Sequence, residues 1–121
     1  MPSAPLPALM EDLVACCAPV AGQALDATSA ERLAAVLKVL ADPTRLRLLS
    51  LVAAQPDGEE CVCNLTELVG VSQPTVSHHM RLLVDAGLLE REQRGKWAYY
   101  RTVPGALETL SSLIGRVTEP A

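Results

Sequence analysis

Apolar positions recur at helical spacing through most of the chain, and each break in that rhythm carries a proline, a glycine or a capping residue. From Ser29 onward Leu33, Val36, Leu37 and Leu40 form one stripe, which predicts a helix stopping before Pro43 because that ring disfavours a helical residue at 42. Asp42-Pro43 restarts the pattern, the carboxylate capping free amides and the proline taking the first helical position, so a second helix should run to about Ala54. Gln55-Pro56-Asp57-Gly58 is turn chemistry, and Cys61-Val62-Cys63 is too short and too β-branched to assign by pattern. Asn64 suits the cap of a short helix ending at Gly70. Ser72 caps the next, which continues to Ala86 and closes at Gly87.

Projected around a helix, Val76, His79, Met80 and Leu83 fall in one arc, with Pro74, Ser77, His78, Arg81 and Asp85 opposite. One face packs and the other is open to a partner. Leu88 to Gln93 and Trp97 to Val103 predict two strands around Arg94-Gly95. Pro104 opens a last helix whose Leu107, Leu110, Ile114 and Val117 form a narrow seam, the spacing of a helix that pairs with its copy in a second subunit. Residues 1–8 and 18–28 are rich in Pro, Ala, Gly and Ser around a short apolar stretch, Leu9 to Cys17. This divides the chain into an arm (1–28), one domain (29–117) and a tail (118–121).

The 121 residues suffice for one compact domain. No apolar run approaches the roughly 18 residues of a membrane span, and Met1 to Ala8 has three prolines and no Lys or Arg, so the expected compartment is the cytoplasm. The net charge of −4 argues against a nucleic-acid partner until it is divided along the chain. Residues 1–71 hold four basic and nine acidic side chains, whereas 72–103 hold five basic and three acidic. The basic surplus coincides with the helix capped by Ser72 and with the hairpin.

Two short helices joined by a glycine-containing turn and followed by a basic hairpin predict a winged helix-turn-helix, mainly α with a small β-hairpin wing. Its second helix would present Gln73, Thr75, Ser77 and His78 to base edges and Arg81 to phosphate, while Arg91, Arg94 and Lys96 meet flanking backbone or minor groove. The adjacent histidines point about 100° apart and cannot easily share an ion, so His79 is expected as a satisfied core imidazole. Trp97, Tyr99 and Tyr100 are expected to finish the core. No nucleophile and orienter stand at catalytic spacing, so an enzyme is not expected.

Four cysteines in a reducing compartment favour metal binding or redox sensing over a disulfide framework. Cys16 and Cys17 are neighbours, with α-carbons about 3.8 Å apart against the roughly 4.4 to 6.8 Å of ordinary disulfides, and so suit two-toothed chelation. Cys61 and Cys63 project to one side if the backbone is extended; in a helix they would diverge by about 200°. Soft thiolates select soft ions: cadmium or lead for four sulfurs, trivalent arsenic or antimony for a pyramid of three.

Glu60-Cys61-Val62-Cys63-Asn64-Leu65, Ser72-Gln73-Pro74-Thr75-Val76-Ser77-His78-His79-Met80 and Gly95-Lys96-Trp97-Ala98-Tyr99-Tyr100-Arg101 resemble the ArsR/SmtB metal-responsive repressors, over roughly Ser29 to Val117. The resemblance implies a homodimer of winged-helix subunits joined through first and last helices, bound to a palindromic operator and released when an ion binds. It also implies that Cys61 and Cys63 lie on the family's sensor helix. In arsenic repressors of this kind a third cysteine follows three positions later; here Thr66 stands there, and Cys16 and Cys17 could complete the set. The favoured triad is Cys16, Cys17 and Cys63, with Cys61 nearly equal, for As(III) or Sb(III). A cadmium and lead branch using all four cysteines is the alternative, with a thiol redox switch, a structural zinc module and a thiol oxidoreductase as rivals, the last disfavoured by the lack of CxxC. The zinc branch's Asp and His are missing, since residues 104–117 contain neither.

Overall fold

A computed structural model describes residues 24–118. In these, five helices and three strands follow one another: α1 (Ala27–Leu40), α2 (Pro43–Ala53), β1 (Glu59–Cys61), α3 (Val62–Val69), α4 (Gln73–Asp85), β2 (Leu89–Arg94), β3 (Trp97–Thr102) and α5 (Ala106–Arg116). No helix among them is long and apolar enough to cross a membrane.

Capping chemistry sets most of the boundaries. Asp42 Oδ1 accepts the Arg45 N–H at 3.0 Å with Pro43 opening α2, as expected. Ser72 caps α4, its Oγ accepting the Thr75 N–H at 3.4 Å. At α1 the expectation shifts: Asp26 is the cap, its carboxylate taking the Ser29 N–H at 2.7 Å, and Ser29 sits buried inside the first turn. At α3 the cap is Cys61 and not Asn64. The helix therefore begins at Val62, and Asn64, within its first turn, donates instead to Glu60 Oε1 at 2.8 Å. Gly70 closes α3 at φ 72°, a left-handed conformation that a side chain would strain, and only Val71 separates it from the Ser72 cap.

The stripes of α1 to α4 converge on one core. Leu48, Val52, Leu65, Val76, Met80 and Leu83 are completely buried, joined by Leu33, Val36, Leu88, Leu89 and Leu110. α3 and α4 pack on each other and both pack on α2, which gives the helix-turn-helix. The hairpin turns at Gly95-Lys96, one residue later than expected, and closes on the pair Arg94 and Trp97. Gly95 has φ 62° at the first central position, as a primed two-residue turn requires. β1 adds to β3 in antiparallel register, Glu59 opposite Arg101 and Cys61 opposite Tyr99, so the sheet has three strands in the order β1-β3-β2.

Two packing expectations are corrected. Tyr100 is buried, but Tyr99 is only half-buried and Trp97 is exposed at the hairpin end, because alternation along β3 sends neighbours to opposite faces. The seam of α5 also divides. Leu110 packs inward with Ala106 and Leu113, whereas Leu107, Ile114 and Val117 are exposed.

Candidate nucleic-acid interface and thiol site

α4 buries Val76, Met80 and Leu83 and turns Gln73, Thr75, His78 and Arg81 to the surface, with Ser77 half-buried between the two faces. The wing stands beside it. Together they enclose an open groove of about 510 Å³ whose lining includes Gln73, Ser77 and Arg81 from the helix and Arg91 and Lys96 from the wing. Thr75 and His78 are exposed on the helix but do not line this groove, and the Thr75 hydroxyl lies 2.9 Å from Ser72 Oγ.

Arg94 stands apart. Its guanidinium forks onto Glu59, Nη1 to Oε1 and Nη2 to Oε2, both at 2.7 Å, reaches Glu92 at 3.0 Å and lies 4.5 Å above the Tyr99 ring. The Glu59 bonds, then those from Glu92, push its pKa upward. Arg101 is likewise held by Glu90 at 3.1 Å and Glu92 at 3.0 Å, which raise its pKa, and Glu92 is held below the ordinary carboxylate range by Arg94 and then Arg101. Three carboxylates thus offset two arginines along the back of the wing, leaving the groove cations Arg81, Arg91 and Lys96 as the positive surface next to α4. Sequence inspection misses Glu59 in this role because it precedes Arg94 by 35 positions.

At the other end of β1 lie two of the four cysteines. Cys61 is buried as the last residue of the strand and the cap of α3; Cys63 is half-buried in the first turn. The strand-to-helix change falls between them, so the divergence a continuous helix would impose does not arise. The α-carbons are 5.3 Å apart and the sulfurs are joined, where free thiols had been the expectation. Such a separation lies within the range that a disulfide spans. The Cys63 N–H also donates to Cys61 Sγ at 3.3 Å. Cys16 and Cys17 lie outside the described residues, and no group of three or more His, Cys, Asp or Glu that could hold a metal occurs among the described ones. Once reduced to thiols, the pair fits a thiophilic ion as a donor set but supplies two ligands of a required three or four.

His79 is half-buried and not a core residue. Its Nδ1 lies 3.1 Å from Arg45 Nη1, a contact that the pattern of α4 alone did not disclose.

A capped recognition helix beside a hairpin wing, with cations gathered in the groove between them, defines the class of winged helix-turn-helix transcriptional regulators. The sequence profile described as "Bacterial regulatory protein, arsR family" matches residues 42–91. The arsenic resistance transcriptional regulator ArsR1 of Pseudomonas putida is 39% identical over 84 residues, covering 69% of this chain and 64% of that relative, just under two thirds of its length. A relative from Halobacterium salinarum, named ArsR2, is 40% identical over 110 residues, 88% of this chain and 90% of its own. Among solved structures, the AntR antimony-specific transcriptional repressor superposes with a TM-score of 0.58 at 32% identity, covering 76% of this chain and 82% of that one. The chain belongs to the arsR family of bacterial regulatory proteins.

Proposed function

We propose that this protein is a metalloid-responsive transcriptional repressor: a homodimer that holds a palindromic operator and lets go when As(III) or Sb(III) binds cysteine thiolates. The observation that carries this is the meeting of Cys61 and Cys63 at the start of α3, the helix packed directly against α4. The names of the Pseudomonas relative, for arsenic, and of the AntR neighbour, for antimony, support the choice of ion.

Two sulfurs do not complete a trivalent pyramid, so the arm must contribute as well, with Cys16, Cys17 and Cys63 the favoured set and Cys61 nearly equal. The joined sulfurs of Cys61 and Cys63 are first reduced to two thiols by two electrons from a small-molecule thiol, which is itself oxidised to a disulfide, and the binding thiols then lose their protons to the ion. Drawing residues 16 and 17 onto the start of α3 fixes the arm beside the helix-turn-helix and strains the fit of α4 to the major groove. Gln73, Thr75, Ser77 and His78 would read base edges, while Arg81, Arg91 and Lys96 meet phosphate; Arg94 joins them only by exchanging Glu59 for the backbone. By linkage, operator DNA must weaken ion affinity by the factor by which the ion weakens DNA binding.

A second reading is thiol redox switching, favoured by the joined sulfurs of Cys61 and Cys63. One experiment separates these readings from each other and from the cadmium and lead alternative. The full-length protein is bound to a duplex that it has selected from a random pool, and arsenite, antimonite, Cd(II), Pb(II) or metal-free peroxide is added. Release by arsenite or antimonite, with three sulfur neighbours by X-ray absorption and loss of response in Cys16→Ser and Cys17→Ser, is the expected result. Release by arsenite from a variant with all four cysteines changed to serine would overturn it, and release by Cd(II) with four sulfurs or by peroxide alone would select the corresponding alternative.

A further inference from the structure

The guanidinium of Arg45 ties three helices together. Nε donates to Val39 O at 2.6 Å and Nη2 reaches Lys38 O at 3.5 Å, satisfying carbonyls in the last turn of α1. The Arg45 backbone N–H is taken by Asp42 at the start of α2, and Nη1 lies 3.1 Å from His79 Nδ1, midway along α4. The Arg45 side chain is only 16% exposed. A guanidinium nitrogen has hydrogens to give and no lone pair to offer, so Nδ1 must be the acceptor. That requires a neutral His79 with its proton on Nε2.

Apolar contacts from Val76, Met80 and Leu83 hold α4 in the core, but the hydrophobic effect behind them is non-directional. The bond from Arg45 has direction. We propose that Arg45 and His79 are a positioning pair that sets the pose of α4 against the corner of α1 and α2, and that operator affinity falls when His79 takes up a second proton. This rests on the reading of α4 as the DNA-reading helix. Once Nδ1 is protonated, two donors and two positive charges face each other across the contact. Asp42 Oδ2, 4.0 Å from Arg45 Nη1, offsets part of that repulsion, while its Oδ1 is engaged by the Arg45 amide. A titratable neighbour on the same helix is His78, ring centroids 6.0 Å apart, exposed on the side expected to meet DNA. Protonated His78 would attract phosphate and act with the opposite sign, so His78→Gln is the background for the measurement.

With the full-length protein and a duplex that the His78→Gln variant has itself selected at pH 7.5, affinity is followed down to pH 5.5, the range in which imidazoles gain a proton. His78→Gln is expected to lose about tenfold in affinity across this range, the worth of one charge-assisted bond. The double variant His78→Gln/His79→Gln, whose amide oxygen can accept from Arg45 without titrating, is expected to stay flat, and Arg45→Lys in the single background should flatten the profile while lowering affinity throughout. An equal pH slope with and without His79 would overturn the proposal. A readout without DNA judges the pair separately: imidazole ¹⁵N shifts should give His79 as the pure Nε2–H tautomer at pH 7.5, becoming a mixture in Arg45→Lys, and an Nδ1–H tautomer in the wild type would overturn it. Failure to select any duplex would count against the DNA-binding reading, whereas a wrong tautomer counts against the pair alone.

Discussion

Asp26 and Asp42 each place a carboxylate oxygen on an amide three residues ahead, and those bonds from Ser29 and Arg45 are the main reason both carboxylates are held below their ordinary range. A group whose folded value is depressed contributes stability above its unfolded value and loses that contribution as pH falls. The urea midpoint should therefore fall between pH 5.5 and 3. Asn accepts the same amide bond without titrating, so Asp26→Asn/Asp42→Asn should lose less of its midpoint over that interval than the wild type; an equal loss would show that the caps contribute nothing to the acid sensitivity. Asp42 could be read from its neighbour Pro43, which fixes the start of α2 by covalent geometry. Asp26 could not, because Ser29 is an equally good capping residue and only the packing of its side chain into the core decides between them.

Within the wing, the local sequence announced the strands and the turn glycine but not the third strand. β1 is three residues long and gains its hydrogen bonds from β3, some 40 positions later, so no local periodicity could reveal it. Its presence changes the electrostatics of the hairpin by placing Glu59 on Arg94. Glu59→Gln should release Arg94 toward the phosphate backbone, and the plot of log affinity against log salt should steepen by about one unit for one added phosphate contact. In the parent protein, Lys96→Ala should cost more operator affinity than Arg94→Ala. Equal salt slopes for Glu59→Gln and wild type would mean that Arg94 already meets DNA or never does.

On the scale of the molecule, α5 exposes Leu107 at 43% and Ile114 at 41%, and its C-cap Val117 at 47%, an apolar face that a soluble monomer seldom leaves open. If a second copy covers it, Ile114→Glu should sediment as a monomer at concentrations where the parent is a dimer, and should bind the two-fold operator far more weakly than the parent. A variant that still sediments as a dimer would place the interface elsewhere.

The helix-turn-helix was legible because its information is local: caps, a glycine between helices, and apolar stripes whose period matches the helix they build. The same holds for the basic surplus after residue 72 and for the pairing of four cysteines into two close sets. What the sequence by itself could not decide is which charges remain available and where the sulfurs point. Those depend on contacts across 34 or 35 positions, Arg45 with His79 and Arg94 with Glu59, and on a strand ending at Cys61 where a helix begins. Side-chain ions choose partners by distance in space, which only the packed chain specifies, whereas periodicity records no more than which face of each element is buried.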